Sequence, residues 1–132
     1  MSIYTKRSYP PERVEGWQFI WKDLELEALG VTLVRLKAHE GAKVTHSHEK
    51  QEEVYYVLEG EPALQIDGEV VTLRRGDILR VSPSARRAVG NPSEREACLL
   101  MFGGMPHTTP PRTDRPSRIG DGIRYEDDTV VW

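Results

Sequence analysis

Two imidazoles and a carboxylate are the residues of this sequence best placed to do chemistry. His46 and His48 lie two positions apart in GAKVTHSHEKQEEVYYVLEG, residues 41–60. Side chains alternate faces along a strand, so a His-x-His pair on one aims both rings the same way. Glu53 opens the next apolar pattern after a short polar turn, Glu49 to Gln51. If the two strands are neighbours, its carboxylate meets both rings. Two imidazoles and a carboxylate inside an apolar shell form a donor set for a borderline divalent ion. The plainer alternative is a solvated histidine pair on a surface strand. The glutamate at ligand-like spacing, the apolar strand after it and the closing Gly60 weigh against that. By the same alternation Tyr55 and Val57 share the face of Glu53 and are expected to line a pocket, while Val54, Tyr56 and Leu58 face away. That outer apolar stripe needs cover, from a second sheet or a partner subunit.

The elements that must position these groups read as short strands between turns. They are Trp17–Trp21, Val31–Leu36, Thr45–His48, Glu53–Leu58, Ala63–Ile66, Val70–Leu73, Ile78–Val81, Arg87–Val89 and Ala97–Phe102. Turn signals separate them, with Asp67-Gly68 predicting a tight hairpin. Asp23–Leu29 has fair helix propensity but is read as an extended lead into the next strand. Many short strands at close spacing predict an all-β, closed or two-sheet antiparallel domain. The body spans residues 16–104, after a polar arm at 1–15 and before a tail at 105–132 carrying Pro106, Pro110, Pro111 and Pro116. So many prolines disfavour helix and central strand in the tail.

Length and composition narrow the classes. A chain of 132 residues suits one domain. A net charge of −3 gives no electrostatic reason to expect nucleic acid or an anionic membrane as partner. No apolar run approaches a membrane span, and the N-terminus does not read as a signal peptide. The single cysteine, Cys98, permits no intrachain disulfide, so a cytoplasmic setting is expected. Cys98 is expected to be a small buried residue rather than a nucleophile. His39 and His107 are expected at the surface, Met101 and Met105 in core or pocket wall, and Trp17, Trp21 and Trp132 as packing anchors.

The segment 41–60 resembles the first motif of the cupin superfamily. His46, His48, Glu53 and Gly60 match it, and Gly41 lies one residue closer to the first histidine than the usual pattern. GDILRVSPSARRAVGN, residues 76–91, resembles the second motif. Gly76, Asp77, Pro83 and Asn91 match; Ser84 replaces a glycine, and Arg87 stands where the motif has its histidine. Two motifs at their proper separation make the resemblance specific. It implies an all-β double-stranded β-helix, or jelly-roll, barrel with little or no helix.

The resemblance also implies a metal held by three histidines and a glutamate, and Arg87 departs from that set. A guanidinium stays protonated and offers no lone pair. Two outcomes follow. In one, a divalent metal (Fe, Mn, Ni or Zn) binds His46, His48 and Glu53, with Arg87 clamping an anionic group of the substrate and His39, His107 or water completing the shell. In the other, no metal binds, and Arg87 pairs with Glu53 or Glu52 beside a small polar or anionic ligand. A one-residue slip would turn Arg86 inward instead. The expected ligand contacts are Arg87, Tyr55, Val57 and Met101. Three functions remain open: a metal-dependent oxygenase or isomerase, a non-catalytic binding or sensing module, and an assembly unit. A homodimer with exchanged arm or tail is expected, with no nucleic-acid or membrane partner.

Overall fold

A computed structural model of the chain describes residues 3–104 and 123–132. After a 3-10 turn at Pro11–Arg13 come strand β1 (Trp17–Gln18), helix α1 (Ile20–Asp23), and strands β2 (Leu29–Leu36), β3 (His46–Ser47), β4 (Glu52–Glu59), β5 (Ala63–Ile66), β6 (Glu69–Thr72), β7 (Ile78–Val81), β8 (Arg87–Gly90), β9 (Ala97–Gly104) and β10 (Arg124–Tyr125). They form two antiparallel five-stranded sheets, ordered β1-β2-β9-β4-β7 and β10-β3-β8-β5-β6. The all-β class with almost no helix is as expected.

Alternation builds the core. Tyr55 and Val57 on β4, Val34 on β2, Leu99 and Met101 on β9, Leu64 on β5, Val81 on β7 and Val89 on β8 pack in one cluster between the sheets. The outer side of β2, β9 and β4 has a second cluster, in which Val14 and Ile20 cover Leu33, Cys98 and Leu58. Of the outer β4 stripe, Leu58 is thus covered by the chain itself. The polar arm therefore contributes a core residue, Val14, immediately before its expected boundary. Cys98 is fully buried there, and burial pushes its thiol pKa up.

The turns explain the register. Asp67 and Gly68 have φ of 48° and 87°, and Ile66 pairs with Glu69, as a two-residue hairpin loop requires. Gly60 has φ of 83°, and a Cβ there would meet Glu96 O at 2.4 Å, so this turn admits only glycine. One local expectation needs correction. The strand read over Trp17–Trp21 stops at Gln18, and the chain makes one helical turn, with Leu24 N donating to Ile20 O at 2.9 Å. That turn places Ile20 over the outer cluster, a tertiary demand that local alternation does not encode. Asp23–Leu29 is otherwise non-helical and leads into β2.

Candidate metal-binding pocket

The two sheets bring the expected groups together from opposite sides. Glu53 lies on β4, opposite Val81 and Gly103. His46 lies on β3, and its direct partner across the ladder is Arg87 of β8. His48 follows β3, where its N–H donates to Pro83 O at 2.8 Å, tying the histidine segment to the turn before β8. The two imidazoles stand edge to face, with centroids 5.0 Å apart.

One carboxylate oxygen is the focus. His46 Nε2 and His48 Nε2 each lie 3.2 Å from Glu53 Oε1. The Tyr55 hydroxyl donates to the same oxygen at 3.0 Å, and Arg87 Nε is 3.3 Å away. Burial alone would push the Glu53 carboxyl upward. The hydrogen bond from His46 and the close approach of His48 outweigh it and hold the group well below the usual carboxylate range. Burial, then the Glu53 charge, raises Tyr55 well above the usual phenol value, so its hydroxyl stays protonated and donating.

Arg87 is 0% exposed, yet it is not among the residues lining the cavity. Its Nη1 donates to Pro83 O at 3.0 Å and Ala85 O at 2.8 Å, and its Nη2 to Ser82 O at 3.0 Å. The fork expected to clamp a ligand anion is thus occupied by the 82–85 turn, and only Nε faces Glu53. Arg86 is exposed, so it is not the inward-facing arginine, and its backbone N–H donates to Asp67 Oδ1 at 3.0 Å. Val57, expected on the wall, does not line the cavity: it lies one same-face step further along β4 than Tyr55, where it is 0% exposed in the core cluster. Tyr55 and Met101 do line the cavity. His39 lies at the surface, between the Trp132 carbonyl at 3.0 Å and Glu94 at 2.6 Å, and completes no shell. Met105 and His107 fall outside the described residues. Asn91, the last second-motif residue, is structural: its buried amide donates to Leu36, Lys37 and Arg95 carbonyls at 3.2, 3.0 and 2.6 Å.

The cavity has a volume of about 340 Å³. Beside the histidines, its wall includes Trp17, Phe19, Trp21, Phe102 and Tyr125. The sequence reading missed most of this rim. It also missed Gln51, read only as a turn residue, which is 9% exposed and lines the cavity. The signal was present in the crowding of tryptophan and phenylalanine at 17–21, but nothing local says that this segment reaches the cavity.

Each of His46, His48 and Glu53 offers one ligand atom, and these atoms lie within 4.8 Å of one another. Ligands at right angles around an ion, each about 2.1 Å from it, sit roughly 3 Å apart. The two 3.2 Å nitrogen–oxygen separations match that spacing. The donor set therefore fits a divalent ion on three protein ligands, with Arg87 unable to serve as a fourth.

Comparison with known proteins agrees with this architecture. A cupin protein from Bacteroides fragilis superposes with a TM-score of 0.73 at 28% identity, covering 86% of this chain and 94% of that one. A sugar phosphate isomerase of the cupin superfamily from Silicibacter pomeroyi gives 0.64 at 23% identity, over 84% of this chain and 64% of that one. Salicylate 1,2-dioxygenase from Pseudoaminobacter salicylatoxidans, solved as adducts with gentisate, gives 0.52 at 24% identity, over 60% of this chain and 20% of that one. The last two likenesses are of fold alone. No protein of curated function matches the chain. Among the described residues no helix is long and apolar enough to cross a membrane. The sequence profile described as the Cupin domain matches residues 32–103, more than half of the chain and inclusive of both motifs, so the chain belongs to the cupin domain family.

Proposed function

We propose that this protein is a small-molecule-binding cupin whose pocket holds one divalent metal on His46, His48 and Glu53 and acts in isomerase- or oxygenase-type chemistry. The observation that carries this is the approach of two imidazole nitrogens to one carboxylate oxygen, each at 3.2 Å, on the wall of a cavity. A bound ion would supply Lewis-acid or redox chemistry at the cavity wall. The chain's own groups prepare the site. Tyr55 donates to Glu53 and orients its carboxylate. Arg87 sets a fixed charge behind that carboxylate and holds the 82–85 turn. The aromatic side chains give the cavity an apolar wall around the ligand set. Arg87 is left out as an anion clamp, because its fork is already bonded to carbonyls.

A second reading has its own support. Arg87 and Glu53 already balance in charge at 3.3 Å, which suits a metal-free binding module. Metal analysis decides between them. After loading with iron, manganese, nickel or zinc and desalting, the protein should retain about one ion per chain, and His46→Ala should retain almost none. Retention far below one ion by the parent leaves the metal-free module. The expected homodimer stays part of the proposal. Edge strands β6 and β7 carry Val70 and Ile78, 60% and 63% exposed, and sedimentation should give twice the chain mass.

A further inference from the structure

The character of the cavity wall narrows what enters it. Among the described lining residues, Glu53 is the single carboxylate, and no lysine or arginine is present. Arg87, the nearest buried cation, spends its terminal nitrogens on three backbone carbonyls. Among the described residues a phosphorylated or multiply anionic ligand would find no guanidinium or ammonium on this wall, and would meet Glu53 there. Trp17, Phe19, Trp21, Phe102 and Tyr125 instead present ring faces and edges. Tyr125 stands beside the metal site, its ring 5.8 Å from that of His46.

One polar side chain on this wall is built in and uncommitted. Gln51 is 9% exposed and lines the cavity, and its amide has no hydrogen-bond partner among the described residues. It sits in a notch made by two glycines that face each other across the β2–β9 ladder, Gly30 and Gly103. A Cβ on Gly103 would meet Gln51 Nε2 at 2.8 Å, and one on Gly30 would lie 3.8 Å from Gln51 Oε1. The fold thus keeps two adjacent positions free of side chains and fills the space with an amide that has no internal task. Its oxygen and nitrogen face the cavity, so a ligand group there can use both an acceptor and a donor of the amide.

We propose that the pocket selects a flat aromatic or similarly apolar molecule bearing an uncharged hydrogen-bonding group, such as a carbonyl, amide or hydroxyl, with Gln51 reading that group. The proposal rests on the reading of this cavity as a small-molecule site, but not on a metal being there.

The test uses the full chain, metal-loaded and metal-free, and three probe sets: phenols and benzamides, benzoates, and sugar phosphates. Intrinsic tryptophan emission is the readout, because Trp17 and Trp21 line the cavity, with melting temperature as a second measure. Phenols and benzamides should quench emission and raise the melting temperature, and should bind at least about tenfold tighter than sugar phosphates. Gln51→Leu keeps the bulk and removes the amide; it should weaken binding of the benzamides roughly tenfold, the value of one hydrogen bond lost in a buried site. Metal content of Gln51→Leu should equal that of the parent, which separates this result from failure of the metal reading. Preference for sugar phosphates overturns the proposal, as does preference for benzoates, equal benzamide affinity in Gln51→Leu, or no binding by any set. Emission that follows protein concentration instead of ligand also overturns it and assigns the aromatic rim to a second copy of the chain. If benzamides bind alike with and without metal while no metal is retained, the metal reading fails and this one stands.

Discussion

Glu53 Oε1 is the most crowded acceptor of the pocket, with His46, His48, Tyr55 and Arg87 all between 3.0 and 3.3 Å. Arg87 is the member that distinguishes this pocket, and its geometry argues for structure before ligand binding. Removing it would take the buried cation from beside Glu53, leave Ala85 O without its donor, and strip Ser82 O and Pro83 O of one of their two. Arg87→Ala should therefore cost about 3–5 kcal/mol in urea unfolding, as expected when one member of a buried pair is lost. A cost below about 1 kcal/mol would show that the carbonyl contacts do not hold in solution. Arg87→His makes the opposite point. It places a further imidazole on the direct cross-strand partner of His46, and zinc affinity by competition with a chelator should rise by about tenfold or more, despite some loss of stability. Unchanged zinc affinity would mean that position 87 does not face the ligand set. The place of Arg87 was legible in the sequence, because motif spacing fixes register. Its task was not, because that depends on where the carbonyls of residues 82–85 point.

The C-terminal segment is the element whose docking the sequence left open. Residues 123–132 lie along β3 and its preceding loop. Tyr125 pairs with His46, Val130 N–H donates to Lys43 O at 2.8 Å, and Asp128 accepts from the Thr45 N–H and hydroxyl. Trp132 closes the segment over Gly90, where an added Cβ would fall 2.0 Å from its ring, and its Nε1 donates to Ala42 O at 2.8 Å. Gly90→Ala should evict the indole, cost about 2 kcal/mol, and cut exchange protection at the Val130 amide. Protection equal to the parent's would refute the seat. The docking should also respond to pH. The Glu94 carboxylate, then the Trp132 carbonyl, raise the His39 pKa above its ordinary 6.5. A raised folded-state value gives stabilisation that is complete below about 6.5 and is lost as pH rises through the higher value. Val130 protection, corrected for intrinsic exchange, should fall across that alkaline-going window in the parent and stay flat in His39→Ala. Strands such as Ala63–Ile66 and Ile78–Val81 were legible to the residue, because alternation and turn chemistry are local. The edge strand β10 was not: it is two residues long and owes its existence to a partner, β3, far away in sequence.

At the scale of the whole molecule, the site is a joint between the sheets. Glu53 rides on one sheet, through β4, and His46 with Arg87 on the other, through β3 and β8. An ion held by all three ligands would tie the sheets together, and its binding energy would appear as resistance to global unfolding. Binding to the folded state alone adds RT ln(1 + [L]/Kd), about 2.7 kcal/mol at a hundredfold excess over Kd. For a domain of this size that corresponds to a melting temperature higher by on the order of 10 °C. His46→Ala and Glu53→Gln should each abolish the shift, though they sit on different sheets, while Gln51→Leu should keep it. A metal-induced rise that survives both ligand substitutions would place the ion elsewhere on the molecule. A rise abolished by His46→Ala but retained in Glu53→Gln would make the site a one-sheet histidine site, with Glu53 serving only as the counter-charge to Arg87.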